Sequence, residues 1–257
     1  MTNSNINLIT TSALILIACV LAGCGGTKIL KEPEPLAIGD SIAAGSDQRL
    51  SAALDWVIFR DGPGTWARNA DWDEYLIRVE NAGDDSLQII DIAVVDSLGV
   101  EVNSREDRRQ LIKGTKETER RYRDDGIKVK AGLSGTVLVG ASVAAAAGTS
   151  GLGAAAMAGG GAAAGAAAVV VLVPALAVGG IARGVNNGKV NVEIESRQTP
   201  LPLMLVAGEK KSLNVFFPLA PSPQEILVTY ADSQGQYMLA IDTRTALEGL
   251  HLAQVAE

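Results

Sequence analysis

The sequence predicts a mainly β protein whose sheet-forming regions are interrupted by one long uncharged stretch. Three observations carry this. First, short runs with period-two burial patterns recur, as in Tyr75, Ile77 and Val79 alternating with Leu76, Arg78 and Glu80. Second, these runs are separated by breaks rich in Gly, Asn, Asp and Pro, at Gly208–Lys210, Pro218–Pro223 and Asp232–Gln236. Third, Ala131–Ala182 is 52 consecutive residues with no charge and no aromatic ring, dominated by Ala, Gly and Val. Neither flank has enough strands for a two-sheet core, whereas their sum does. The expected fold is an immunoglobulin-like antiparallel sandwich interrupted by a Gly/Ala-rich α-helical hairpin.

Residues 1–23 are expected to be removed as a signal peptide. Leu14–Leu21 is apolar but short, since a spanning helix needs about 20 apolar residues. It leads into Leu21-Ala22-Gly23-Cys24, which resembles the lipobox of bacterial lipoproteins. The resemblance covers four residues placed directly after the apolar core, although Met1–Ser12 lacks the usual Lys or Arg. It implies cleavage before Cys24, a diacylglyceryl thioether on its sulfur, and acylation of the freed amine, for instance by palmitate. In Gram-negative lipoproteins an aspartate after the cysteine favours the inner membrane. Gly25 therefore implies a periplasm-facing outer-membrane location.

Residues 24–52 read as the lipidated N-terminus and a linker, with Pro33 and Pro35 stiffening Thr27–Pro35 into a tether. Residues 53–130 read as the first part of the sandwich. Ala53–Arg60 is a strand, and Glu74–Asn81 and Leu87–Asp96 are expected to pair as a hairpin across Asn81–Ser86. Ser97-Leu98-Gly99 turns into a further strand ending at Asn103. Ser104–Lys130 holds ten basic and six acidic residues. It reads as a solvated helix and loop, or as a collar facing lipid headgroups, where each basic residue contributes about 1 kcal/mol.

Three readings compete for 131–182. A transmembrane hairpin is favoured by small residues at four-residue spacing, Gly140, Ala144 and Gly148, then Gly161 and Gly165, which permit close helix contact. It also returns both ends to one side of the membrane, as one sandwich requires. A soluble Ala-rich hairpin is favoured by the lack of Trp and Tyr. A flexible linker is disfavoured by Val169–Val173.

Residues 183–257 read as the second part of the sandwich, with a turn at Asn186-Asn187-Gly188. Strands are expected around Val190–Ile194, Leu213–Phe217, Ile226–Tyr230 and Tyr237–Ile241, and a short terminal helix capped by Thr243 or Thr245.

No catalytic, cofactor or metal constellation stands out, and no enzyme is expected. His251 is the lone histidine, and its place near the C-terminus predicts a surface residue. Gly184–Val190 has the wrong spacing for a phosphate loop and no Ser or Thr after Lys189. Trp56, Trp66 and Trp72, near Arg60 and Asp61, read as core packing, with a ligand-facing or interfacial aromatic patch as the alternative. Once Cys24 is lipidated and Cys19 removed, no thiol remains for a disulfide. The net charge of −7 argues against nucleic acid as a partner. What remains is a lipid-anchored envelope protein, a structural or interaction module for a partner the sequence does not specify. A membrane-perturbing or pore-forming homo-oligomer built on the hairpin is the alternative.

Overall fold

The computed structural model describes residues 27–133, apart from 34 and 37, and 183–253. The mainly β class is what it shows. Strands β2 (Ala43–Ser46), β3 (Leu50–Ile58), β5 (Trp72–Asn81) and β10 (Lys210–Pro218) form an antiparallel sheet in the order β10-β5-β3-β2. A second sheet runs β12-β11-β6-β7, from Gln236–Asp242, Glu225–Ala231, Leu87–Val95 and Glu101–Asn103, with β9 (Leu203–Leu205) also on β6. Two ribbons complete the strands: β1 (Lys28–Ile29) with β4 (Ala67–Arg68), and β8 (Val129–Leu133) with β13 (Leu250–Leu252). These orders define antiparallel sheets; the immunoglobulin-like label goes beyond them.

One core serves both sheets. Leu54, Ile77, Val79 and Val215 from the first pack with Ile92, Val94, Val228 and Ile241 from the second, all at most 1% exposed. Chain from both sides of 134–182 meets within each sheet, because β5 pairs with β10 and β6 with β11. The edges β2 and β12 also approach: a Cβ on Gly45 would lie 2.7 Å from the Ala240 carbonyl oxygen, so only glycine fits there.

Helix α1 (Arg108–Asp124) starts at Asp107, whose carboxylate accepts the amide hydrogens of Arg109 and Gln110. Its buried residues, Leu111, Thr115, Thr118 and Tyr122, recur at three- and four-residue spacing and form one stripe. The stripe docks on β10, helped by Thr115, which donates to the Asp71 carbonyl and accepts from the Leu219 amide. Arg121 pairs with buried Asp96 at 3.2 Å, and the Tyr122 and Ser97 hydroxyls are 2.8 Å apart. Burial pushes the Tyr122 phenol up to about 12.

Several expectations are corrected. β5 and β6 are not a hairpin: they belong to different sheets, and Asn81 is buried at the crossover, its amide donating to the Asp85 and Leu205 carbonyls. Val190–Ile194 is not a strand, and Asn186–Gly188 is not a turn; both lie in helix α2 (Arg183–Arg197). Val190 and Ile194 are buried while Val192 is 64% exposed, the signature of a four-residue repeat. Thr243–Gly249 is a succession of turns leading into β13, not a helix. Thr27–Pro35 is not a free tether, because Lys28 and Ile29 pair with Arg68 and Ala67, and the Leu30 amide donates to the Trp66 carbonyl. Ala131–Leu133 belongs to strand β8 rather than to a helix. The rest of the expected hairpin, and Cys24 with Gly25, lie outside the described residues. Among the described residues no helix is long and apolar enough to cross a membrane.

Candidate functional site

The strongest concentration of buried polar chemistry lies at the start of β5. Asp73 and Glu74 are consecutive, so their side chains leave opposite faces of the sheet. They are 0% and 1% exposed. Glu74 faces Arg197 of α2, and Asp73 reaches β8 through His251.

On one face Glu74 accepts hydrogen bonds from Trp66 Nε1 at 2.8 Å and Asn214 Nδ2 at 3.0 Å. Arg197, in the last turn of α2, stands 3.8 Å away, and its guanidinium lies 4.8 Å from the Trp66 ring centroid. Glu193, one helical turn earlier, receives Arg197 Nε at 2.7 Å. Burial raises the Glu74 carboxyl pKa; Arg197, Trp66 and Asn214 offset part of that rise. Trp66 packs against Trp72 and Phe216, each at 6.4 Å between centroids, so the expected tryptophan packing is observed, with Trp56 buried as well. Arg60 pairs with Asp71 and donates to the Ala70 carbonyl, while Asp61 holds a left-handed turn at φ 60°.

On the other face Asp73 Oδ2 lies 2.6 Å from His251 Nε2. The expectation that His251 is a surface residue is therefore corrected: it is fully buried. The Gly132 amide donates to His251 Nδ1 at 3.0 Å. Since Nδ1 accepts, the ring hydrogen sits on Nε2 and is donated to Asp73, which fixes a neutral imidazole beside a carboxylate. His251 adopts φ 61° where the β8–β13 register shifts between Leu250 and Leu252. A left-handed histidine is uncommon, and its two side-chain bonds hold it there. Gly132 has φ 99°, and a Cβ on it would lie 3.1 Å from the Arg60 carbonyl oxygen. Asp73 Oδ1 and the Tyr75 hydroxyl have no hydrogen-bond partner among the described residues. Burial, and then the Asp73 charge, push the Tyr75 phenol well above its ordinary value.

A His–Asp pair is also the orienting half of a nucleophile-activating triad. Here both ring nitrogens are occupied and the ring is buried, so the pair has no nitrogen to offer a substrate. Its effect is mechanical: it ties β8, the last described element before 134–182, to β5. Arg197 does the same for α2, the first element after it. Among the described residues no cluster of His, Cys, Asp and Glu is arranged to hold a metal ion.

Sequence reasoning did not find this site. The available signals were an acidic pair opening an apolar strand run at Trp72–Asn81, and a histidine flanked by Leu250 and Leu252.

A second feature concerns the N-terminus. Thr27 is 4% exposed; its hydroxyl donates to the Asn69 carbonyl and accepts from Arg108 Nη2. α2 lies against β1 and touches α1. Thr27, three residues after Cys24, is therefore already part of the described body, and β1 lies beside the helix that follows 134–182.

No protein-family model and no curated protein matches the chain. Among solved structures, it is similar to the Bacillus subtilis protein ycdA, provisionally described as a lipoprotein, at 10% identity and a TM-score of 0.32. The match covers 79% of this chain and 39% of that one, so the chain spans about two fifths of that protein's length.

Proposed function

We propose that the chain is a lipid-anchored cell-envelope protein, held through acylated Cys24 on the periplasmic side of the outer membrane and acting as a structural or interaction module. The carrying observation is the lipobox followed, three residues on, by the buried Thr27. Three residues of chain reach about 10 Å, so an acylated Cys24 keeps this body against the bilayer. The anchoring of β8 and α2 to Asp73 and Glu74 supports a segment 134–182 that departs from and returns to one body, as a membrane hairpin requires. It favours equally the second reading, a membrane-perturbing oligomer. Cys24→Ser is expected to abolish incorporation of radiolabelled palmitate and to leave an unprocessed precursor; continued labelling sinks the proposal. Dye release from liposomes that depends on 131–182 would favour the second reading.

A further inference from the structure

We infer that the β1–β4 ribbon, with the start of α1, is a cationic face that rests on the anionic phosphates of lipid headgroups; this rests on the lipid-anchored reading above. Lys28 and Arg68 are direct partners across the antiparallel β1–β4 pair. Their Cβ atoms are then about 5 Å apart on one face, and like charges placed so are destabilising. Both side chains are exposed, and neither has a carboxylate partner among the described residues. The contrast lies in the same fold: at the equivalent cross-strand position of β10 and β5 the chain opposes Lys210 with Glu80 and pairs them at 2.9 Å.

The start of α1 repeats the pattern. Arg108 and Arg109 stand in its first turn, where no acidic residue is present. Cations are disfavoured there, because the helix N-terminus already carries partial positive charge, of which the Asp107 carboxylate at the N-cap offsets a part. Arg109 is exposed with no ion pair among the described residues. Arg108, half-buried with its Nε enclosed, joins this turn to the ribbon through Thr27. The unpaired Lys28–Arg68 opposition thus lies, with exposed Arg109 next to Arg108 in sequence, where the chain from Cys24 enters the body. An anionic surface within about 10 Å of Thr27 converts that opposition from a cost into contacts.

The test uses the chain from residue 24 with Cys24→Ser, so that no acyl group holds it. It is titrated with vesicles of phosphatidylcholine alone and of phosphatidylcholine and phosphatidylglycerol in equal parts. Tighter binding to the anionic vesicles is expected. Lys28→Gln with Arg68→Gln should weaken it roughly thirtyfold, from about 1 kcal/mol per basic residue at an anionic surface. The same double variant should melt no lower than its parent, since a like-charge opposition has been removed. Lys210→Gln with Lys211→Gln should leave binding unchanged. Equal binding to both vesicles, no binding to the anionic ones, or anionic binding unaltered in the first double variant overturns the inference. Acylation plays no part in this titration, so its outcome is separable from palmitate labelling of Cys24.

Discussion

Replacing His251 by Ala tests whether the buried pair on β5 holds the body together. The substitution leaves the Asp73 carboxylate fully buried, with Oδ2 stripped of its donor and Oδ1 already without one. Stripping a buried acceptor of its donor costs about 1–3 kcal/mol, and more when the acceptor is a carboxylate. The Gly132 amide loses its acceptor too, which adds about 1–3 kcal/mol if water does not reach it. These terms overlap, so we expect a loss of about 3–5 kcal/mol, against a total stability of about 5–15 kcal/mol for a typical domain. Adding Asp73→Asn should recover about 2 kcal/mol, because the uncompensated charge is then gone, and the two substitutions are coupled rather than additive. His251→Gln can donate to Asp73 and accept from Gly132, and should cost less than Ala. Urea denaturation followed by tryptophan fluorescence reads all four proteins. A loss under about 1 kcal/mol for His251→Ala, or no recovery on adding Asp73→Asn, would refute the reasoning, as would an NMR signal showing a hydrogen on Nδ1.

Two further outcomes follow from the same strand. Burial raises the Glu74 pKa, so the folded state holds that proton more tightly than the unfolded state. Its contribution to stability is full below the unfolded value, about 4.5, and is lost as pH rises through the higher folded value. Arg197→Ala removes a downward pull, so the fall should extend to higher pH; urea midpoints that stay parallel to the parent from acid to neutral pH would contradict this. Replacing 134–182 with a short Gly/Ser linker should preserve the sheets, since closure cost changes by only about 0.6 kcal/mol per doubling of length. Loss of a single cooperative thermal transition would show that the segment belongs to the core.

Much of the β structure was legible because burial on one face imposes period two. The runs at Leu213–Phe217, Ile226–Tyr230 and Tyr237–Ile241 fall in β10, β11 and β12. The same signal failed at Val190, Val192 and Ile194, where three apolar residues fit a strand and two of them, four apart, also fit a helix. Turn chemistry at Asn81–Ser86 announces a reversal but does not say whether the next strand pairs or crosses to another sheet. A buried Asn81 that bonds Leu205 is a tertiary fact, invisible locally. β1 is two residues long, too short for any period. The His251–Asp73 contact joins residues 178 apart, which no local pattern encodes.

The pairing of β5 with β10 and of β6 with β11 also constrains the order in which this protein can be made. A chain delivered N-terminus first completes the β3–β5 pairing early. The other edge of β5 then waits for partners more than a hundred residues downstream, as does β6 for β11. Throughout that interval two long strands present open backbone edges, a template for unwanted pairing with other chains. Contacts so distant in sequence also make folding slow. The uncharged stretch lies between the waiting edges and their partners, so whatever environment receives it sets how soon those edges close. Once they have closed, a cut within 134–182 divides the chain but neither sheet.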